Sequence, residues 1–240
     1  MTARALSLAI PLSLVLTWST HAGAASLAAL AGSESDFRGQ SYSYVGADLT
    51  HLLTPHVGVA VRVMPFYLTY RFRSGDDLVS AHALGVNGLV GIKLFLGETS
   101  LGLLGGAQFR DTDLSPDVRT GGARGDQLSG LAQLELDSWL PTRTNLNFFS
   151  SYSGVDDFVY TRGGVKQQLT NRDFSKPVTI NAGVEGFFGR NADYNSRGAG
   201  LVFEVYHIPT RMAVGVRAGY KHDSTFGNGG YAGLSIYKQF

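Results

Sequence analysis

Apolar and polar residues alternate along most of this chain, in segments of roughly ten residues. Between positions 211 and 221 the even positions carry Met212, Val214, Val216, Ala218 and Tyr220, whereas the odd ones carry Arg211, Ala213, Gly215, Arg217, Gly219 and Lys221. Successive side chains of a strand point to opposite faces, so this pattern predicts a strand with one apolar and one polar face. Residues 127–140 alternate in the same way.

Comparable segments recur throughout the chain. Strands are predicted over residues 41–53, 57–72, 80–96, 100–110, 127–140, 144–152, 158–169, 178–188, 199–208, 211–221 and 229–240, with a further strand over 26–34. Short connections such as Thr54-Pro55-His56 and Pro209-Thr210 alternate with longer polar ones, as the short and long loops of membrane barrels do. The strand over 26–34 makes the number even, as in bacterial single-chain barrels, and places both chain ends on one side.

These segments together predict an all-β fold. We expect residues 25–240 to form a single antiparallel outer-membrane β-barrel of about 12 strands. The 31 glycines suit close strand packing and tight turns, and the terminal Phe240 is like the ending of many outer-membrane barrels. The alternative is a soluble β-sandwich or a lipocalin-like periplasmic barrel, which would also alternate.

One segment, residues 57–72, does not keep a single phase. Valines occupy the odd positions from 57 to 63, and Phe66, Leu68, Tyr70 and Phe72 occupy the even ones. Because proline cannot donate to a strand ladder, Pro65 is predicted to mark a bulge or an edge position, after which the aromatic residues take over the apolar face.

The polar faces of the predicted strands carry charges of both signs. In this register they are Asp48, Arg62, Lys93, Glu135, Asp137, Arg162, Lys166, Glu185, Glu204 and Arg217. We predict that they pair across a narrow lumen. Such a network either stabilises the interior through ion pairs or lines a pathway for solutes, and the sequence leaves both possibilities open.

The first 24 residues resemble an export signal. Arg4 gives a positive start, residues 5–18 are nearly all apolar, and Ala22-Gly23-Ala24 suits a signal peptidase. We therefore expect residues 1–24 to be cleaved and the protein to reach the outer membrane of a Gram-negative bacterium. Beyond this signal no run approaches the ~18 apolar residues of a transmembrane helix.

Composition narrows the function further. The absence of cysteine excludes disulfides, thiol chemistry and cysteine-based zinc sites. A net charge of +1 provides no basic field for nucleic acid, so nucleic acid is not an expected partner. No cofactor is predicted.

Several motifs in order resemble the bacterial cellulose biosynthesis protein BcsS family. They are "SYSYVGADL" at 41–49, "FRDTDLSPD" at 109–117 followed by "RTGGARGDQ", "DDFVYTRGGVKQQL" at 156–169, "GVEGFFGRNADYNSRGAG" at 183–200 and "FGNGGYAGLSIYKQF" at 226–240. The chain departs from the family between residues 52 and 72, where valines replace a glycine- and tryptophan-rich pattern. The resemblance implies an outer-membrane protein that takes part in making, exporting or displaying cellulose, with the glucan chain and other cellulose-secretion components as partners. It implies no catalytic residues.

Two candidate sites come from charged or nucleophilic motifs. Asp111, Asp113 and Asp117 could bind calcium, but Pro116 interrupts the run and no Glu follows within the loop. We therefore favour a turn that opens the long connection 111–126. Arg110 is predicted to pair with a neighbouring acid. His222 and Ser224 resemble the pair of an outer-membrane lipid esterase. No Asp or Glu follows on the next strand to orient the histidine.

Aromatic residues offer the most plausible binding chemistry, because glucan stacks its apolar sugar faces on rings. Candidates near strand ends are Tyr42, Tyr44, Tyr152, Phe158, Tyr160, Tyr194 and Phe226. Membrane-interface girdles also place aromatics there. Tyr160 and Arg162, with Tyr42 and Tyr44, are the predicted glucan contacts.

The predicted function is thus a non-catalytic barrel for cellulose, with a lipid-modifying esterase or a small-solute channel as alternatives.

Overall fold

The computed structural model describes residues 25–117, 124–170, 177–192 and 194–240. The predicted signal peptide lies outside the described residues. The elements of the described chain are twelve strands: β1 (Ala25–Asp36), β2 (Ser41–Thr54), β3 (Val57–Ser74), β4 (Asp77–Leu96), β5 (Thr99–Ser115), β6 (Gly125–Trp139), β7 (Thr144–Ser153), β8 (Phe158–Gln168), β9 (Val178–Arg190), β10 (Asn195–His207), β11 (Met212–Asp223) and β12 (Gly227–Gln239).

Each strand pairs antiparallel with its neighbours in the chain, and β1 pairs with β12 to close the barrel. The predicted all-β antiparallel barrel and its strand number are therefore confirmed. Closure gives every one of these strands a partner on both sides. In the described part of the chain no helix is both long and apolar enough to cross a membrane.

The first described residues of β1 and the C-terminus lie at one end of the barrel, where the Phe240 amide donates to the Leu27 carbonyl at 2.9 Å. We call this the proximal end and the opposite one the distal end. Connections of two to four residues occur at both ends, for example 55–56 and 208–211 at the proximal end and 75–76 and 224–226 at the distal end. A longer connection lies at each end, 116–124 distally and 169–177 proximally. The predicted contrast between short turns on one side and long loops on the other is therefore wrong, because the strands continue into segments that were assigned to loops.

The outward faces of the strands form an apolar belt. Its exposed members are Leu27, Val45, Leu49, Val61, Val63, Leu84, Val86, Val90, Ile92, Leu101, Leu103, Leu128, Leu134, Val159, Val165, Val184, Leu201, Phe203, Val216, Leu234 and Ile236. Toward the distal end the belt is edged by the exposed rings of Tyr67, Phe109, Tyr152, Phe188 and Tyr220. Polar residues occupy the next outward positions, such as Asp111 after Phe109 and Arg190 after Phe188.

Strand β3 keeps one phase along its whole length. Arg62 and Phe66 are both buried, whereas Val63 and Tyr67 are exposed. The register with β4 runs without a break through Pro65, which lies opposite Val86. Pro65 is thus neither a bulge nor an edge, and the predicted change of face after it is wrong. The side chains of Phe66, Tyr70 and Phe72 point into the lumen, because a period of two carries every even position of the strand inward.

Strand β5 also extends beyond its prediction. It reaches Ser115, so most of the motif at 109–117 is strand rather than the start of a long connection. Arg110 and Thr112 are buried on the inner face, while Asp111 and Asp113 are exposed on the outer one. Asp111 and Asp113 alternate with inward-facing residues because they belong to the strand and not to a turn.

Candidate functional site in the barrel lumen

The first cluster in the lumen joins four strands through charged side chains. Arg62 of β3 donates through Nη2 to Asp48 of β2 at 2.6 Å and also contacts Glu135 of β6. Lys93 of β4 donates to the same Asp48 carboxylate at 2.9 Å, and Gln133 accepts from Arg62 at 3.1 Å. The Asp48 and Arg62 side chains are only 6% and 10% exposed. Two cations and two carboxylates balance, as buried charges require. We call this the Asp48 cluster.

A second cluster spans the lumen from β8 to β1. Arg162 donates to both carboxylate oxygens of Glu34, at 2.7 and 2.8 Å. Arg217 of β11 lies 3.6 Å from Glu185 of β9 and 4.0 Å from Glu34. The Tyr231 hydroxyl donates to Glu185 at 2.9 Å. We call this the Glu34 cluster, and it also has two charges of each sign.

The remaining charges pair locally. Lys166 of β8 donates to Glu204 of β10 at 2.9 Å, and the exposed Asp137 accepts from Asn145 at 3.0 Å. Near the distal end Lys221 of β11 bonds Asp36 of β1. The structure therefore places the predicted lumen charge network on the inward-facing positions of the strands, with Asp137 exposed near the proximal end, and it adds Glu34, Asp36 and Lys221.

Aromatic rings line two opposite walls of the lumen. On β2 and β3, the Tyr42 ring lies 5.7 Å from Tyr44 and 5.6 Å from Phe66. On the other side the rings of Phe149, Tyr160, Phe187 and Tyr231 follow one another with centroids 6.3, 6.2 and 5.2 Å apart. Tyr42 and Tyr160 lie on opposite sides of the lumen, because β2 and β8 are six strands apart in a barrel of twelve, and the second row continues from Tyr160 to Tyr231 on β12. We call the two rows the β2 wall and the β8 wall.

Glycines of neighbouring strands make room for these rings. A Cβ on Gly85 would lie 2.3 Å from Phe66, and one on Gly198 would lie 2.5 Å from Phe187. Tyr231 covers two glycines in succession, Gly219 of β11 and Gly200 of β10. Only a residue without Cβ allows so close an approach, so the rings lie along the wall and not across the lumen.

The four predicted glucan contacts all lie in these walls. Tyr42 and Tyr44 belong to the β2 wall, and Tyr160 belongs to the β8 wall. The Arg162 guanidinium lies 5.6 Å from the Tyr160 ring centroid and 5.2 Å from that of Phe187, in cation–π geometry. The Arg162 guanidinium donates to both carboxylate oxygens of Glu34, and all four predicted contacts are intermediate in exposure.

Other predicted aromatics divide between the two faces. Tyr152 points outward and edges the apolar belt, as a membrane girdle would require. The rings of Phe158 and Tyr194 contact each other at 6.4 Å, and Phe226 lies in the turn after β11. Tyr42, Tyr44 and Tyr160 thus lie inside the barrel, whereas an aromatic girdle at the membrane interface would place them on its outer surface.

The motif at 109–117 has a structural role in the barrel wall. Arg110 pairs with Asp156 from the turn after β7, at 3.2 Å, and not with an acid of its own motif. Asp117 pairs with Arg124 at 2.8 Å on the surface. Among the described residues no group of three or more potential ligands could hold a metal ion.

The residues of the alternative esterase are not arranged as a catalytic pair. The His222 Nδ1 lies 2.8 Å from Asn228 Oδ1, while the Ser224 hydroxyl accepts from the Asn195 amide at 3.1 Å. Asp223 is fully buried on the opposite face and accepts from the Thr225 and Phe226 amides. Within the described ranges this geometry gives the serine no base and the histidine no carboxylate partner.

The sequence also matches a protein family. The family described as cellulose biosynthesis protein BcsS matches residues 28–240. The chain belongs to the BcsS family. This match covers all twelve strands except the first residues of β1, so the barrel as a whole is the family's domain. No curated protein matches the sequence.

Solved structures with a similar shape are bacterial barrels. An outer membrane channel from Pseudomonas putida F1 has 11% identity and a TM-score of 0.49, covering 92% of this chain and 97% of that one. The β domain of the Bordetella autotransporter BrkA has 11% identity and a TM-score of 0.45, with 91% and 99% covered. The translocator domain of the autotransporter NalP from Neisseria meningitidis has 13% identity and a TM-score of 0.46, with 92% and 90% covered. The architecture of this BcsS family member is established by its own strand pairing.

Proposed function

We propose that this chain is a non-enzymatic outer-membrane barrel that supports cellulose biosynthesis, export or surface display by guiding or anchoring glucan at the cell surface. The observation that carries the proposal is a closed barrel, apolar outside and lined inside by aromatic walls, in a member of a cellulose biosynthesis family. Its proposed partners are the glucan chain and other components of cellulose secretion.

The apolar belt supports placement in a membrane. A soluble protein rarely exposes a continuous apolar surface of this extent, whereas membrane barrels carry a band about 25 Å tall edged by aromatic residues. The belt and its distal edge of five aromatic rings have this form. With residues 1–24 acting as a cleaved signal, the proximal end would face the periplasm and the distal end the cell exterior.

The two aromatic walls support a glucan contact. Tyr44 lies against Gly32 of β1, with its ring 2.7 Å from where a Cβ would stand, and Tyr42 and Tyr160 belong to the same two walls. A ring that lies along the wall leaves one face on which a sugar ring can stack. Hydrogen-bonding groups lie beside these rings, because Arg162 and Glu34 meet next to the β8 wall. A sugar could therefore find an apolar face and polar rims in the same place.

The charge clusters favour an accessory role over conduction of the polymer. The Arg162–Glu34 pair links β8 to β1 across the interior, and Arg62 links β3 to Glu135 of β6. A lumen of twelve strands is much narrower than the 16–18-stranded barrels that hold an aqueous channel. Side chains that cross it leave little width for a glucan chain.

The decisive experiment removes the gene from its native host and restores it. We expect deletion to lower or relocate secreted and cell-bound cellulose while cellulose synthase activity in membranes is retained, because the proposed role lies after polymerisation. The restored gene should return both cellulose fractions to their original levels. The mature N-terminus, read from the outer-membrane fraction of the restored strain, should begin near residue 25.

Unchanged cellulose in the deletion strain would contradict the proposed function. Restoration with Tyr42→Ala/Tyr160→Ala tests the glucan contact separately. This variant should fold, but it should return less cellulose to the surface than a Tyr152→Ala control, whose ring faces outward. Equal restoration by the two variants would remove the aromatic walls from the proposal.

Ion conductance tests the small-solute channel. We expect wild-type protein in planar bilayers to conduct weakly, because the Glu34 cluster crosses the lumen. The variant Arg162→Ala/Glu185→Ala removes one charge of each sign from that cluster and should raise the conductance several-fold. Arg124→Ala, which breaks an exposed pair, should leave it unchanged. High conductance of the wild type would favour the channel instead.

A further inference from the structure

Two arginines lie on the outside of the barrel, immediately distal to the apolar belt. Arg190 follows the belt-edge ring of Phe188 on the outward face of β9, and Arg197 of β10 lies directly opposite Phe188 in the strand register. Both arginines are exposed. They occupy the first outward polar position above the belt on two adjacent strands, which is the level of lipid headgroups if the belt lies in a membrane.

The two guanidinium groups are not paired within the described residues. Neither Arg190 nor Arg197 takes part there in a salt bridge or a side-chain hydrogen bond, a property that they share with the exposed Arg71 and Arg73 of β3 but not with cations such as Arg62, Arg124 and Lys221. Asp157 lies near Arg190, but its carboxylate accepts from the Tyr152 hydroxyl at 2.6 Å. Two neighbouring positive charges are therefore available to an anion from outside the chain.

A cleft on the outer surface adjoins the first arginine. It has a volume of about 390 Å³ and is lined by Asp157, Val159, Phe188, Arg190, Asn191 and Ala192. Val159 and Phe188 belong to the belt and its aromatic edge, so the floor of the cleft is apolar, while its distal rim carries Arg190 and also Asp157, whose carboxylate is hydrogen-bonded to Tyr152. A ligand that uses both the guanidinium and the apolar floor carries an anion joined to a hydrocarbon.

The other side of the barrel has the opposite charge at this level. Asp111 of β5 and Asp126 of β6 face each other in the register, and both are exposed on the outward face. Like charges placed directly opposite repel each other, and two carboxylates also repel an anion. The cationic site is thus a feature of β9 and β10, not of the whole rim.

We propose that Arg190 and Arg197 bind the phosphate of a phosphorylated glycolipid in the outer leaflet, with its acyl chains against Phe188 and Val159. This inference rests on the proposed outer-membrane placement. Arginine suits the role because its planar guanidinium donates two parallel hydrogen bonds to a phosphate.

The test compares two double variants with equal loss of charge. Wild type, Arg190→Gln/Arg197→Gln and the control Arg71→Gln/Arg73→Gln are refolded into phosphatidylcholine vesicles containing lipid A, extracted in mild detergent, and assayed for retained lipid A by mass spectrometry. Arg71 and Arg73 are also exposed at the distal end, on β3, but Thr69 separates them from the belt-edge Tyr67. We expect retention to fall about tenfold for the first variant, and to stay unchanged for the control.

Four outcomes would overturn the proposal. Equal retention by all three proteins would show that the arginines are not used, and an equal loss in both variants would show a response to net charge alone. Undiminished retention of dephosphorylated lipid A by the wild type would exclude the phosphate as the recognised group. Failure of the wild type to insert into vesicles would contradict the membrane placement itself, whereas the cellulose phenotype has no bearing on this assay.

Discussion

Arg62→Ala is expected to lower the free energy of unfolding by about 3–5 kcal/mol, the usual result of removing one partner from a buried ion pair. Arg62 is the only side chain in the described Asp48 cluster that touches both Asp48 and Glu135. Without it, Asp48 still has Lys93 at 2.9 Å, but Glu135 and the amide of Gln133 lose their cation. A carboxylate would then be left inside the barrel without its present counter-ion.

The measurement is urea unfolding of the refolded barrel in one detergent, followed by tryptophan fluorescence and read as the shift in midpoint at constant slope. Arg124→Ala is the matched control. Its pair with Asp117 has side chains that are 51% and 64% exposed, so its loss should cost less than about 1 kcal/mol.

A compensated variant separates charge burial from lost packing. Arg62→Met/Glu135→Met removes one cation and one carboxylate together and leaves the Asp48–Lys93 pair neutral. Replacing a buried ion pair by apolar groups of similar volume is often neutral in stability. The double variant should therefore recover most of the loss. If it is as unstable as Arg62→Ala, the arginine stabilises the barrel by packing and not by charge pairing.

Gly106→Ala is expected to destabilise the barrel by about 3 kcal/mol, at the upper end of the cost of overpacking. Gly106 lies on the inner face of β5, where an added Cβ would stand 2.0 Å from the Gly88 carbonyl oxygen and 2.9 Å from the Leu89 Cα. Both are backbone atoms of β4, so no side chain can move aside. The strands must separate locally, which weakens the ladder that closes the barrel.

Gly105→Ala provides the control on the adjacent residue. A Cβ at Gly105 would meet nothing within 4 Å, because this position faces outward. Its effect should stay within about 0.5 kcal/mol. Both variants would be compared by the same urea midpoint, together with the heat-dependent migration that folded barrels show on gels. Equal stability of the two would mean that β4 and β5 can separate at no cost.

Local periodicity accounts for what could be predicted from the sequence. Predicted strands such as 41–53, 144–152 and 178–188 differ from β2, β7 and β9 by two residues or fewer at each end. The larger errors, at 100–110 and 199–208, occur where charged or glycine residues continue a strand beyond its apolar stretch. Where a strand extends beyond the membrane, it keeps its hydrogen bonds to neighbouring strands but no longer needs an apolar outer face. The alternation of apolar and polar residues therefore ends before the strand does.

The partners of individual side chains could not be predicted in this way. Arg110 bonds Asp156, 46 residues away, and Arg162 bonds Glu34, 128 residues away. The first pair depends on the register of β5, β6 and β7, and the second depends on the closure of the barrel, which brings β1 opposite β8. One usable signal was present, because extending the alternation of the first strand from residue 34 to 36 would have placed Glu34 and Asp36 inside.

The aromatic residues show the same division. Their presence near the strand ends was evident, but interior placement was missed for Phe66 and Tyr70, because an apolar residue in a membrane strand is expected to face lipid. In this barrel the wall glycines allow rings to lie inside. Which glycine lies beneath which ring follows from the register between strands, not from either strand alone.

The sequence by itself determined the strands, their number and the two faces of most of them, because backbone geometry fixes a period of two at every residue. Only the tertiary structure decided which charges neutralise one another, which rings form the two walls, and where two exposed arginines stand beside an apolar cleft. The Arg162–Glu34 pair joins residues 128 positions apart in the chain, whereas the two arginines stand together because β9 and β10 pair in register. The cluster that joins β8 to β1 forms only once β1 has paired with β12 and the barrel has closed.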